Sequence, residues 1–399
     1  MQRIVIKNFG PLKEVDLEIK DLMLFIGPQA SGKSTIAKLI YFFRSVLPSL
    51  DGFIVQKLLT NTYNLEFFAK SFFSCFSKIF VNETTEITFH YNENYFCKLN
   101  FSQNELVRLE ENLIEKIGKL IQSDLKVKEK NSFHFDFGTI INNFEDCKFL
   151  EGSFIPTNRA MFNLLDHTQI ASSSLEGVQL FKEDFWMSQY FKYLNNLRKR
   201  QSESLVHLKE IDFNKLLRIS GYKIKKNFGP YEDWIILPDE KTELPIHQTS
   251  SGQQEALFIV LSIAYYLMKG HWFTIEEPEI SLYPESQKHL VDLFGLYLNT
   301  HKDNQLVITT HSPYILTAFN NLIYAHQVGQ KKEKEVSEII PNEMWIDPTR
   351  VGAYFVDEGK ARDIVDPELN LIKAEEIDSA SDQMSQQYSK LFDLDYENE

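Results

Sequence analysis

The chain opens on three short apolar patterns. "RIVIKNF" and "VDLEI" alternate apolar with polar residues, the period of a strand with one buried face, whereas "LMLFI" is continuously apolar and suits a strand buried on both sides. A glycine-bounded loop, "GPQASGKST", follows. From about Lys33 the residues Ile36, Leu39, Ile40 and Phe43 then recur on one face of a helix. Dense patterning returns at Thr249. "SSGQQEALFIVLSIAYYLM" reads as a loop and an apolar helix, "HWFTIEE" as a strand, and "PESQKHLVDLFGLYL" as a helix; "QLVITT" is a further strand and "SPYILTAF" a further helix. Strands alternating with helices predict an α/β core around a mixed, largely parallel sheet, with the N-terminal strands antiparallel.

Between these two regions the chain is rich in Phe and Asn and mixes signals. "EITFHYNENYFCKLNF" predicts a hairpin turning at Asn92–Asn94. In "NELVRLEENLIEKIGKLIQSDLKVKEK", Leu106, Leu109, Leu113, Ile117, Leu120 and Ile121 stand at helical spacing, over a length too short for a long coiled coil. "DFWMSQYFKYLNNLRKRQSESLVHLKEI" predicts a second helical stretch. The resulting division is residues 1–50 for the first part of the core, 51–246 for a helical and β insertion or arm, 247–328 for the second part of the core, and 329–399 for a charged, weakly patterned extension.

Composition narrows the classes. The 399 residues exceed one average domain, and 43% hydrophobic with 25% charged residues is ordinary for a globular protein. No run of eighteen apolar residues exists, and "MQRIVIKNFG" enters a strand pattern directly, so a cytoplasmic location without a membrane span is expected. Cys75, Cys97 and Cys147 are scattered without metal spacing and read as free thiols. A net charge of −14 argues against non-specific coating of nucleic acid. That average hides an asymmetry: residues 182–226 hold eleven basic against five acidic residues, and 356–399 hold four against thirteen. Such runs are commonly solvated faces, yet a basic arm leaves nucleic-acid contact open.

Four motifs carry chemistry. Gly27-Pro28-Gln29-Ala30-Ser31-Gly32-Lys33-Ser34 fits the phosphate-loop pattern, whose backbone amides and helix N-terminus cradle an anion. Gly27, Gln29, Ala30, Ser31, Gly32, Lys33, Ser34 and Thr35 are the expected nucleotide contacts, with Lys33 on the outer phosphates and the Ser34 hydroxyl on magnesium. The strand "FTIEEPE" delivers Glu276 and Glu277 to its C-terminal tip. Glu276 suits the Mg2+ shell, and Glu277 suits the orientation of an attacking water. Ser250, Ser251, Gly252 and Gln253 form a small amide-rich loop opening a helix, which is either a plain cap or a second anion contact for nucleotide held by another copy. His311, after "VITT", is expected beside Glu277, where an imidazole can sense the γ-phosphate; a lone histidine after a strand is more often a satisfied surface residue, and its place in the order of motifs is what singles it out.

The order of these motifs resembles the ABC-type ATPases, over about residues 1–50 and 247–325. That resemblance implies an ATPase head with ATP and Mg2+ as cofactors, and a homodimer, or a higher even oligomer, assembled head to tail around two nucleotides. Ser250 and Gly252 would then reach the partner's γ-phosphate, and Ser281 would face the other subunit. Within the class, "IVIKNFGPLKEVDLEIKDLMLFIGPQASGKST" is similar to the RecF, SMC and OLD group, while "IEEPEISLYPESQ" and "FIPTNRAMF" resemble ATPase subunits of bacterial anti-phage systems such as Septu and PARIS. Arg159 matches an arginine near the nucleotide side of the arm, although "IPTNR" also reads as a turn. The aspartate usual at the magnesium position is Glu276 here.

The resemblance implies a regulatory ATPase controlling an associated effector, a nuclease or toxin on another chain, in anti-phage defence. No long SMC-type coiled coil is evident. The nuclease domain of OLD proteins, with its metal-binding carboxylates, is not expected here either, so no nuclease activity is predicted for this chain. A RecF-like DNA-repair ATPase using "NNLRKRQ" and Lys223, Lys225 and Lys226 is the alternative, and a transporter's nucleotide-binding subunit fits less well.

Overall fold

In a computed structural model, β1 (Gln2–Phe9) and β2 (Leu12–Ile19) pair antiparallel, with Ile4, Ile6, Leu12, Val15 and Leu17 buried and the alternating charged residues outside. The structure describes residues 1–46, 65–102, 105–112, 151–157, 159, 184–201, 211–226, 231–373 and 385–392. Next come β3 (Leu22–Ile26) and α1 (Lys33–Tyr41), where the apolar run and the helical stripe predict them. The middle of the chain supplies α2 (Leu65–Cys75), β4 (Glu86–His90), β5 (Phe96–Ser102), β6 (Glu105–Glu111), β7 (Gly152–Ile155), α3 (Phe185–Gln201) and α4 (Phe213–Leu217). After them stand β8 (Gly221–Lys226), β9 (Tyr231–Ile236) and β10 (Glu243–Pro245), then α5 (Ser251–Tyr266), β11 (Trp272–Glu276), α6 (Pro284–Thr300), β12 (Gln305–Thr310), α7 (Pro313–Ser337), β13 (Val351–Asp357) and β14 (Lys360–Asp363).

Among the described residues, eleven strands form one sheet in the order β6-β5-β4-β1-β2-β14-β13-β3-β12-β11-β7. Its centre, β13-β3-β12-β11-β7, is parallel, and its other half is an antiparallel run from β2 out to β6. Strands β8, β9 and β10 make a separate antiparallel sheet. The central strands are buried on both faces. Leu22 and Leu24 of β3 enter one core with α5, α6 and α7, while Met23 and Phe25 enter a second core with α1, α2 and the antiparallel strands. Among the described residues no helix is long and apolar enough to cross a membrane.

Three observations depart from the sequence pattern. First, the segment read as helical from Asn104 begins as a strand: Glu105–Glu111 is β6, paired antiparallel with β5. Phe101 opposes Leu106 while Asn100 opposes Arg108, so Val107 is an extra, exposed residue. This bulge turns Leu106 and Leu109, three apart, to the same buried side and imitates helical spacing. The remainder of that helical expectation, from Leu113, lies outside the described residues. Second, the 51–246 insertion is not separate from the sheet: β4–β6 extend one edge, and β7 pairs in parallel with β11 at the other. Third, the extension from 329 continues α7 to Ser337 and places β13 directly beside β3.

The Asn92–Asn94 hairpin is present, with Asn92 Oδ1 accepting from the amides of Asn94 and Tyr95 at 2.8 Å each. Cys75 and Cys97 are free and buried, and Cys147 lies outside the described residues. Phenylalanine, present 32 times, concentrates under the antiparallel strands. Phe72 meets the rings of Phe42, Phe76 and Phe101 at centroid distances of 5.3, 4.9 and 5.4 Å. Phe72→Ala removes a wholly buried ring, and a loss of about 3–5 kcal/mol is expected in urea denaturation.

Candidate active site

The parallel register gathers the chemistry at one edge. Ile26 of β3 stands opposite Thr310 of β12, and Glu276 of β11 stands opposite Thr309, so the three strands end within one residue of each other. Residues following those ends are therefore neighbours. After β3 the backbone turns back through Gly27 at φ 147°. A Cβ on Gly27 would lie 2.1 Å from the carbonyl oxygen of Val356 in β13, which excludes any larger residue. Pro28, Gln29 and Ala30 form the exposed crest, and Ser31, Gly32 and Lys33 are buried beneath it. The Lys33 ammonium donates to the carbonyls of Gly27 at 2.8 Å and Pro28 at 2.6 Å. Burial pushes its pKa down, and the carboxylates of Glu277 and Glu279 oppose that shift. Ser34 and Thr35 open α1 and are half-buried.

Glu276 is 3% exposed, with one oxygen 3.4 Å from the Lys38 ammonium and the other accepting from the Thr157 hydroxyl at 3.3 Å. Glu277 leaves the strand at φ 43°, donating its amide to the Thr309 carbonyl at 2.8 Å. Its carboxylate lies 3.1 Å from His311 Nε2. The expected neighbourhood of Glu277 and His311 is thus present, because β11 and β12 are adjacent and parallel. Glu279 fastens the arrangement: it accepts from the Thr310 hydroxyl at 2.8 Å and the His311 amide at 2.7 Å.

Ser250 and Gln253 form a capping box at the start of α5. The Gln253 amide donates to Ser250 Oγ at 3.3 Å, and the Ser250 amide donates to Gln253 Oε1 at 3.1 Å. A plain cap is therefore what the single chain displays. No hydrogen bond or ion pair among the described residues links Ser250–Gln253 to the phosphate loop. The Ser250–Gln253 loop instead opens on its own cleft of about 440 Å³, shared with Arg218, Ser281 and Tyr283. A Cβ on Gly252 would stand 2.6 Å from the Ser281 carbonyl, so only glycine allows α5 to approach the segment that follows the carboxylates.

The donor set fits a hydrated magnesium ion bound together with phosphate. Ser31 Oγ, Thr309 Oγ1 and Glu276 Oε1 are buried without a hydrogen-bond partner. Magnesium keeps waters and takes one or two carboxylates plus phosphate oxygens, and Ser34 and Glu276 are the residues that would supply such a shell. No cluster of three or more His, Cys, Asp or Glu among the described residues forms an all-protein metal cage. Sequence reasoning missed Thr157, Lys38 and Glu279, and named Arg159 without a role. Arg159 is fully buried and bonded to the backbone of both carboxylate residues. "IPTNR" was the signal for two of these; Lys38 reads as an ordinary helix-surface lysine.

A glycine loop carrying a buried lysine at the end of a parallel strand, with a carboxylate pair and a histidine level with it, defines a P-loop ATPase head. The family model of the AAA ATPase domain matches residues 1–225 and 182–316, and the chain belongs to that family. No curated protein matches significantly. Among solved structures, an Smc head bound to the C-terminal winged-helix domain of ScpA is 12% identical at a TM-score of 0.46, covering 91% of this chain and 96% of that one. An Smc head with an extended coiled coil, bound to the C-terminal domain of ScpA from Pyrococcus furiosus, gives 12% and 0.45 over 91% and 96%. The SMC head domain from Thermotoga maritima gives 11% and 0.40 over 91% and 97%. At these scores the likeness carries no functional information.

Withdrawal of Glu279 from water raises its pKa, so ionising it costs the folded state stability above the raised value and the cost disappears below the ordinary carboxylate value. Glu279→Gln keeps an acceptor and removes the ionisation. Urea melts at pH 7.5 and pH 4.5 are expected to show the wild type gaining relative to the variant as pH falls between those two values.

Proposed function

We propose that the chain binds and hydrolyses ATP with magnesium, and works as a switch by pairing head to tail with a second copy. The supporting observation is a divided set of groups. Lys33, Glu276, Glu277 and His311 converge at the strand ends, while the Ser250 loop faces a cleft containing no phosphate-loop residue. In the dimer, that cleft receives the γ-phosphate held by the partner's loop.

Binding exchanges the Gly27 and Pro28 carbonyls for phosphate oxygens as the partners of Lys33. The loop amides hold the β- and γ-phosphates, and Ser34 and Glu276 would hold the magnesium shell. Magnesium, when bound there, would supply charge neutralisation for the phosphates. Glu277 orients the water whose oxygen attacks the γ-phosphorus and accepts its proton. The bond from γ-phosphorus to the bridging oxygen breaks, and ADP leaves with the electron pair. His311, bonded to Glu277, contacts the γ-phosphate and reports its presence.

Control of a separate effector in anti-phage defence is the role we assign, on the resemblance of the "IEEPEISLYPESQ" and "FIPTNRAMF" segments. Glu277→Gln is expected to keep ATP affinity within about threefold, lower turnover at least about 100-fold, and hold an ATP-dependent dimer in light scattering. Wild-type turnover in that variant removes the assignment of Glu277.

Direct DNA binding by the arm is the second reading, favoured by the basic stretch of α3. Lys223 and Lys225 contribute little to it, since both pair with Glu243 at 2.6 and 2.9 Å. The cations left are Arg198, Lys199, Arg200 and Lys226, whose side chains lie outside the described residues. Their reversal to Glu is expected to abolish any low-salt retardation of duplex DNA, and no retardation by the wild type excludes this reading.

A further inference from the structure

We propose that Arg159 is a positioning residue that joins the Ser250 helix to the carboxylate pair, so that contact at the N-terminus of α5 is transmitted to Glu276 and Glu277. It builds on the dimer reading for what presses on Ser250.

The bonding pattern is specific. Arg159 is 0% exposed and lies just beyond β7. Its Nε donates to the Glu255 carbonyl at 2.9 Å and lies 3.2 Å from the Glu255 carboxylate. Nη1 donates to the carbonyls of Pro156 at 3.0 Å and Glu276 at 2.9 Å, and Nη2 donates to the Glu277 carbonyl at 3.0 Å. One planar guanidinium thus holds three separate segments: the end of β7, the second turn of α5, and the tip of β11. Lysine has a single donor centre and cannot reproduce this fork.

The location gives the network its meaning. Glu277 occupies the left-handed region at φ 43°, a conformation costly for a residue with a Cβ, and the Arg159 bond fixes the carbonyl that this conformation turns inward. Thr157, two residues before Arg159, donates to the Glu276 carboxylate. The same short segment therefore sets the backbone of both glutamates and the side chain of one. On the other side, Glu255 is five residues beyond the cap Ser250, and Gly252 in the turn between packs on the Ser281 carbonyl. The start of α5 thus meets the loop of the carboxylates at two points, through the Arg159 bonds to Glu255 and through the close approach of Gly252 to the Ser281 carbonyl, so movement of the helix bears on that loop.

A merely structural arginine would affect folding or binding in general; a coupling arginine makes the effects of Ser250 and Arg159 non-additive. With ATP and Mg2+ on the full chain, Arg159→Lys is expected to lower kcat at least about tenfold while KM stays within about twofold. Ser250→Ala is expected to lower kcat severalfold alone, yet by less than about twofold when added to Arg159→Lys. Glu255→Gln keeps the arginine and all its carbonyl bonds. It should lower kcat in the same direction by a smaller factor, and it carries the same double-variant test if Arg159→Lys does not fold. Unchanged kcat in both variants, or effects of Ser250→Ala that multiply fully, overturns the proposal. Association of Glu277→Gln with ATP reports on the dimer reading alone, so the two failures are distinguishable.

Discussion

The head depends on one constraint, the parallel register of β3, β12 and β11, which end within one residue of each other. With Ile26 opposite Thr310 and Thr309 opposite Glu276, the first residues past the strand ends are Gly27, His311 and Glu277. A slip of one residue on any of the three would turn its alternate side chains to the wrong core and carry its catalytic group out of line. The two-sided burial of these strands prevents that slip. Leu22 and Leu24 belong to one core and Met23 and Phe25 to the other, so neither face tolerates exchange.

That alignment concentrates charge in a place of limited hydration. Lys33, Lys38 and Arg159 stand among Glu255, Glu276, Glu277 and Glu279, and each cation has a distinct task. Lys38 neutralises the Glu276 carboxylate, with its ammonium 5.4 Å from the Trp186 ring centre. Lys33 rests on carbonyls of its own loop, a position from which it can be drawn by a stronger anion. Arg159 alone is sealed from water. Its bonds run mostly to backbone carbonyls, so it acts on geometry more than on protonation.

Much of this was legible in the sequence because pattern and motif agree there. β1 to α1 follow from alternation, a continuous apolar run and a glycine loop, and the Glu277–His311 neighbourhood follows from two strands joined by one helix. The illegible parts have physical reasons. A bulge at Val107 gave a strand the spacing of a helix. β13 escaped notice because "VGAYFV" is brief, buried on both sides and flanked by charged segments, so it shows neither alternation nor length. Arg159 could be singled out from "IPTNR", but not understood: its partners are carbonyls, which every residue has and no sequence displays.

The position of β13 bears on how the molecule comes into being. The wall behind the phosphate loop at Gly27 is the carbonyl of Val356, more than three hundred residues downstream. During synthesis the glycine loop emerges more than three hundred residues before the strand that braces it. A nascent chain therefore displays the loop's sequence long before it owns the rigid cradle, and competence for nucleotide waits for β13, as a property of long-range closure.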